Sequence, residues 1–159
     1  MDTAEWVSVF ARAAAGQSAT DVLALPHWDE EHWRKLLAHT SPRPFRASEV
    51  VIQRDATDRM VYLVAAGSLE VGVTHVDGVS MTSLARIGTG SIIGEQSFFD
   101  GQPRSASVWA VADGTLLQLP FDVFTRFGEA EPVLARDFVF AMARVLSIRL
   151  RKTSFRLRR

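Results

Sequence analysis

Hydrophobic residues recur at helical spacing at both ends of this 159-residue chain. Residues 3–15 carry apolar side chains three and four positions apart, which predicts a short amphipathic helix. A second helix is predicted to begin after Asp29, because Asp is a good N-cap and two glutamates follow it. The prolines of "SPRP" are expected to stop that helix.

The pattern changes to period two between Phe45 and Pro120, where apolar and polar residues alternate in short runs such as "SLEVGVTHV". Asp77–Gly78 and Asp113–Gly114 predict tight turns between these runs. Many short strands with such punctuation are typical of an antiparallel barrel or jelly roll. Helical spacing then returns after Pro120, with the last helix expected from Glu131 to Arg156.

We find no repeat and no linker, so the sequence predicts one domain over residues 1–159, mainly β with flanking helices. Its parts are an N-terminal helical region (1–44), a β region (45–120) and C-terminal helices (121–159). Apolar residues make up 47% and charged residues 23%, which favours a globular chain over a disordered one. The sequence has no cysteine, no apolar run long enough for a membrane span and an acidic N-terminus, so we expect a cytoplasmic protein.

The charge is unevenly distributed, although 18 basic and 18 acidic residues cancel overall. The last sixteen residues hold seven cations and no acid, which leaves 11 basic residues against all 18 acids elsewhere, a balance of −7. Such a basic tail fits nucleic acid, a membrane surface or an acidic partner. It equally fits a solvated helix end, where cations suit the negative end of the helix dipole.

The stretch "GSIIGEQSFFDGQPRSASVWA", residues Gly90 to Ala110, is rich in glycine and serine and places Glu95 nine positions before Arg104. Residues 95–99 are predicted to form one helical turn, whose first amides would favour an anion. Arg104 adds a planar fork suited to phosphate. Glu95, which only accepts hydrogen bonds when ionised, instead suits a hydroxyl such as that of a sugar. The combination indicates a cyclised ribose phosphate.

The segment "GEQSFFDGQPRSASV" resembles the phosphate-binding cassette of cyclic-nucleotide-binding domains, the family of protein kinase A regulatory subunits and the catabolite activator protein. The resemblance extends from about Leu25 to Leu150, and it implies a β-roll (a double-stranded β-helix or jelly roll) with flanking helices and a cassette at residues 93–107. It implies that Glu95 holds the ribose 2′-hydroxyl and Arg104 an exocyclic phosphate oxygen. The remaining expected ligand-binding positions are Gly94, Gln96, Ser97, Ser105, Ala106 and Arg149.

This chain departs from the family pattern at one turn, and at a second position the role of the side chain is open. Where the family usually has Gly-Asp, this chain has Arg54–Asp55, which we interpret as a change in a turn outside the pocket. Arg149 falls near the family's base-contacting position, where it would either cover a purine by a cation–π contact or face the solvent. The choice between cyclic AMP and cyclic GMP also stays open.

The sequence therefore supports two functional hypotheses. The first is a stand-alone sensor or regulatory module, without a helix-turn-helix, that binds a cyclic nucleotide and acts through a partner or self-association. The second is a scaffold that keeps the fold, pairs Glu95 with Arg104 and uses its C-terminal helix for dimerisation or docking. We expect no enzyme activity, no cofactor and no metal, because the sequence shows no nucleophile set and its histidines lack the spacing of a metal pair.

Overall fold

The computed structural model of the chain describes residues 2–14, 21–74 and 81–158. These residues form two compact units, one built from Thr40–Phe121 and the other from the residues before and after that segment. We refer to them as the β unit and the helical unit. The predicted turn at Asp77–Gly78 lies outside the described residues.

The β unit contains two four-stranded antiparallel sheets, with strand orders β1-β8-β3-β6 and β2-β7-β4-β5. One short helix, α3 (Glu95–Asp100), follows β6. The strands are β1 (Ser41–Phe45), β2 (Val50–Ile52), β3 (Met60–Ala66), β4 (Ser68–Thr74), β5 (Met81–Gly88), β6 (Ile92–Ile93), β7 (Ser107–Ala110) and β8 (Gly114–Pro120). This arrangement confirms the predicted β-roll.

The start of β1 differs from the prediction, which left residues 41–44 in the helical region. The preceding helix ends at Leu37, before Pro42 and Pro44, and both prolines lie within a strand that pairs with β8. Proline is tolerated there because β1 is at the edge of its sheet and needs hydrogen bonds on one side only.

Alternating side chains of both sheets form the core of the β unit. The cluster includes Phe45, Val64, Leu69, Ile87 and Leu116, all of them at most 3% exposed. Burial of this apolar surface is the main contribution to the stability of the unit. The core also fixes the ends of the strands between which the cassette is held.

The helical unit contains α1 (Thr3–Ala14), α2 (Glu30–Leu37), α5 (Pro132–Leu157) and all of α4 (Phe121–Ala130) except Phe121, which belongs to the β unit. Asp29 caps α2 as predicted: its carboxylate accepts from the backbone N–H of His32, and the His32 ring accepts from the backbone N–H of Asp29. The histidine thus takes the place that a glutamate or glutamine usually has in a capping box.

Aromatic rings join the helices of this unit. Trp28 lies edge-on to Trp33, with the ring centroids 5.0 Å apart, and it also stacks on Phe138 of α5. Phe10 of α1 stacks on Trp33 at 5.5 Å. Because these rings come from α1, α5 and both sides of the α2 N-terminus, they hold the three helices together.

The C-terminal part of α5 is solvent-exposed from Leu150 to Arg158. It carries most of the basic tail, and whether that tail has a partner stays a prediction. Along the described ranges, no helix combines the length and the apolar character that crossing a bilayer requires. Within the same part of the chain, no three histidine, cysteine or acidic side chains come together as a metal site would require.

Candidate functional site

The cassette contains the short helix α3 between two glycines. Gly94 and Gly101 both have left-handed backbone conformations, with φ of 81° and 68°. A Cβ on Gly94 would also lie 2.5 Å from Nη1 of Arg104, a distance that atoms do not tolerate. Glycine at this position therefore serves two purposes: it permits the turn into α3 and leaves space for the guanidinium.

Arg104 is the buried cation of the site, with a side chain only 2% exposed. Nη1 donates to the carbonyl of Gly94 at 2.9 Å, and Nη2 donates to the carbonyl of Met60 at 2.7 Å. Nε and Nη2 also donate to the two carboxylate oxygens of Asp58, at 3.2 and 2.6 Å. These contacts use four of the five N–H groups of the guanidinium and fix its plane.

Asp58 was not predicted as a site residue. It is 46 positions from Arg104 in the sequence, and no local spacing rule connects the two residues. The hydrogen bond from Arg104 holds the pKa of the Asp58 carboxyl below its ordinary value of 3.8. The scaffold hypothesis paired Glu95 with this arginine. In the structure, the carboxylate that accepts hydrogen bonds from Arg104 is that of Asp58.

Polar burial in the described chain is concentrated at the cassette. Glu95 is 7% exposed, in the first turn of α3, and Ser97 is 3% exposed one position beyond Gln96. The buried polar and charged residues, tyrosine and tryptophan aside, are Ser91, Glu95, Ser97, Arg104 and Ser107. All five lie within residues 91–107, and the rest of the described interior is apolar.

The rim of the cassette is more accessible. Gln96 and Ser105 are exposed and Ala106 is half-buried. The hydroxyl of Ser105 donates to Oε1 of Gln96 at 2.5 Å, which joins the start of α3 to the segment after Arg104. The predicted residues on both sides of the cassette are thus brought together, from Gly94 to Ser97 and from Arg104 to Ala106.

The Arg54–Asp55 turn, which replaces the family's usual Gly-Asp, supports the backbone of the cassette. Asp55 carries the positive φ, 70°. Its N–H donates to the carbonyl of Arg104 at 2.9 Å, and the N–H of Arg54 donates to the buried hydroxyl of Ser107 at 3.0 Å. The change to Arg54 is compatible with the fold, because the left-handed residue of this turn is Asp55.

Arg149 belongs to the helical unit, where its Nε donates to Asp21 at 3.0 Å. Its side chain is only 16% exposed, so the solvent-facing alternative is wrong. The ion pair with Asp21 accounts for this burial within the helical unit. A role of Arg149 in contacting a base stays a prediction.

In chemical terms, the β unit places a fixed guanidinium, a buried carboxylate and a helix start within one small segment. The chain matches the family model of the cyclic nucleotide-binding domain over residues 42–131, more than half of its length. The chain belongs to the cyclic nucleotide-binding domain family. The matched range contains both sheets, apart from Ser41 of β1, and the whole cassette, so the resemblance read from the sequence is confirmed.

Similar proteins come from several bacteria. The chain is 31% identical over 110 residues to the Cyclic AMP receptor protein of Thermus thermophilus, which corresponds to 69% of this chain and 50% of that protein. The chain thus spans half the length of this relative. A crystal structure of the Thermus thermophilus Catabolite Activator Protein has a TM-score of 0.71 at 28% identity, with 83% of this chain and 60% of that one covered.

A second solved structure covers nearly the whole fold. The cyclic nucleotide-binding domain from Methylobacillus flagellatus has a TM-score of 0.82 over 97% of this chain and 83% of its own. At 19% identity this similarity shows the fold only. Cyclic nucleotide-binding domains are mostly regulatory rather than catalytic modules, and this chain shares their architecture.

Proposed function

We propose that this chain binds a 3′,5′-cyclic nucleoside monophosphate in the cassette and transmits binding to a partner protein or to a second copy of itself. Glu95 would accept a hydrogen bond from the ribose, and Arg104 would bind the phosphate. Ser105 and the backbone of residues 96, 97 and 106 would complete the cradle. Cyclic AMP and cyclic GMP are both candidates, and the similarity to a cyclic AMP receptor protein makes cyclic AMP the first ligand to test.

The observation that carries the proposal is the concentration of buried polar groups at residues 91–107. Burying a carboxylate and a guanidinium costs free energy unless each is paired or bound. An apolar loop would fill the same space more favourably. A site that must recognise a sugar and a phosphate, in contrast, requires both groups.

The contacts of Arg104 also suggest how a ligand is accepted. Four of the five N–H groups of Arg104 already donate hydrogen bonds, so a bidentate contact with a phosphate requires Asp58 to leave the guanidinium. A cyclic phosphate would then replace the carboxylate and keep the buried charge paired. Binding in this scheme is an exchange of one anion for another, and it releases Asp58 to solvent.

The test is thermal unfolding and calorimetric titration of the whole chain with cyclic AMP and with cyclic GMP. A ligand at a hundred times its Kd should stabilise the protein by about 2.7 kcal/mol. For a chain of this length, that is a rise in Tm of roughly 5–10 °C. Arg104→Lys keeps the charge but loses the fork, and it should weaken binding at least tenfold, by roughly the contribution of one charge-assisted hydrogen bond.

Arg126→Lys is the matched control, because Arg126 is 70% exposed and lies on α4, outside the cassette. It should bind as the wild type does. A folded wild-type protein that responds to no cyclic mononucleotide would refute the proposal.

Self-association is a second candidate function, and the outer side of α5 favours it. Val133, Phe140, Leu150 and Leu157 are all more than half exposed. Their spacings of seven, ten and seven residues place Val133 and Phe140 at one core position of a heptad repeat and Leu150 and Leu157 at the other. A second copy of α5 would cover these side chains in a two-stranded coiled coil.

This candidate is tested by the mass of the protein in solution, measured by light scattering over a range of concentrations. We expect a dimer that the double variant Phe140→Glu, Leu150→Glu converts to a monomer. Lys152→Glu introduces the same side chain on the opposite side of α5 and should leave the dimer intact. A wild type that is monomeric at every concentration excludes self-association through α5.

A further inference from the structure

Arg59 binds the C-terminal end of α3 from the segment between β2 and β3. Its Nε donates to the carbonyl of Phe98 at 3.0 Å, and Nη2 donates to the carbonyl of Phe99 at 3.1 Å. The last carbonyls of a helix have no partner within the helix and carry its negative end. Since α3 has no basic residue in its own last turn, Arg59 supplies that charge from outside.

Arg59 is itself held in place. The centre of its guanidinium is 3.5 Å from the centroid of the Phe121 ring, which lies directly after β8. The N–H of Phe121 donates to the carbonyl of Arg59 at 3.1 Å, so ring and backbone fix the same residue. Phe121 also packs edge-on against Phe98, with centroids 5.3 Å apart. The arginine is thus ordered before any ligand arrives.

The orientation of α3 depends on such external contacts. The helix has six residues, so it is only about 9 Å long. Gly94 and Gly101 flank it with left-handed backbones, and the chain there imposes little stiffness. Its N-terminal end is held by Arg104 through the carbonyl of Gly94, and its C-terminal end by Arg59.

We propose that Arg59 is a positioning residue for ribose recognition: by fixing the C-terminal end of α3, it sets the direction in which Glu95 faces the ligand. The inference rests on the proposed function. When a phosphate engages Arg104, that arginine exchanges the Asp58 carboxylate for the ligand, whereas the contacts of Arg59 stay as they are. Arg59 is therefore the fixed point from which Glu95 is aligned.

The test compares the ribose and 2′-deoxyribose forms of each cyclic nucleotide by calorimetry. The wild type should bind cyclic AMP, or cyclic GMP, roughly tenfold more tightly than its 2′-deoxy analogue, because Glu95 gains one charge-assisted hydrogen bond. Arg59→Gln should reduce this ratio to about twofold, chiefly by weakening the ribose form. Arg86→Gln removes the same charge from an exposed residue of β5, outside the cassette, and should keep the full ratio.

A ratio that stays tenfold in Arg59→Gln overturns the inference, even if Tm or overall affinity falls, because Arg59 would then act on stability alone. If Arg59→Gln does not fold, Arg59→Lys gives the same readout. Lysine keeps the charge but not the fork, and an intermediate ratio supports the inference. A wild type that binds neither nucleotide overturns the proposed function and the inference together. If the wild type binds and Arg59→Gln keeps the same ratio of ribose to 2′-deoxyribose affinity, only the inference is overturned.

Discussion

Removal of the Asp58 carboxylate tests the pairing at the centre of the site. Asp58→Ala deletes two hydrogen bonds to the buried guanidinium of Arg104, at 2.6 and 3.2 Å. Losing one partner of a fully buried ion pair typically costs 3–5 kcal/mol. Two features reduce that value: Asp58 is 44% exposed, and Arg104 keeps the carbonyls of Gly94 and Met60. We therefore expect a loss of about 2 kcal/mol.

That loss corresponds to a fall in Tm of roughly 4–8 °C for a chain of this length. The assay is calorimetric unfolding in a buffer of low ionic strength without phosphate or sulfate. Asp122→Ala is the control, because Asp122 forms an exposed ion pair with Arg126 at 3.8 Å and should change the stability by less than about 0.5 kcal/mol.

A cyclic nucleotide should reverse most of the effect. Its phosphate would supply the missing anion to Arg104, so the difference in Tm between wild type and Asp58→Ala should shrink when ligand is saturating. By linkage, the variant should then bind the nucleotide several-fold more tightly than the wild type, up to about tenfold for 1.4 kcal/mol of recovered stability. A variant that loses stability and affinity together would contradict the exchange of carboxylate for phosphate.

Three further experiments test the fold and its electrostatics. Because the pKa of Asp58 is lowered, its carboxylate contributes fully to the free energy of unfolding above the ordinary value of 3.8, and this contribution is lost as the pH falls through the lowered pKa. Wild type and Asp58→Asn should therefore converge in unfolding free energy only below about pH 4. Gly94→Ala should lower the stability by about 2 kcal/mol and weaken nucleotide binding, because the new Cβ would clash with the guanidinium of Arg104. Gly88→Ala is the control: it has open space around it and should leave thermal unfolding unchanged. Phe138→Ala should cost about 4 kcal/mol in denaturant unfolding because the ring is fully buried, whereas Phe140→Ala, 69% exposed on the same helix, should leave the unfolding of the monomer nearly unchanged.

Local patterns in the sequence predicted most of the elements. Periodic segments such as α1, α5 and β4 were predicted within a few residues, because their buried faces impose the spacing. The N-cap Asp29 was predicted because its hydrogen bond joins residues that are close in the sequence. By contrast, β6 has only two residues, Ile92 and Ile93, too few to show a period.

The candidate site was predicted in part. Most of its residues lie within one continuous segment, and their types alone indicate a sugar and a phosphate. The supporting residues Asp58 and Arg59 were missed because they act across 39 to 46 positions of sequence. Such contacts depend on how β3 pairs with its neighbours, and no short-range rule describes that pairing.

The exposure of the two partners favours a sensor over an empty scaffold. A permanent ion pair would be most stable with both groups enclosed and fully hydrogen-bonded, or replaced by apolar side chains. Here the guanidinium of Arg104 is 2% exposed, whereas the carboxylate of Asp58 is 44% exposed. The acid can therefore return to water at small cost, but the cation cannot, and it needs another anion when the acid leaves. That asymmetry suits a site in which an anion arriving from solvent displaces a resident one.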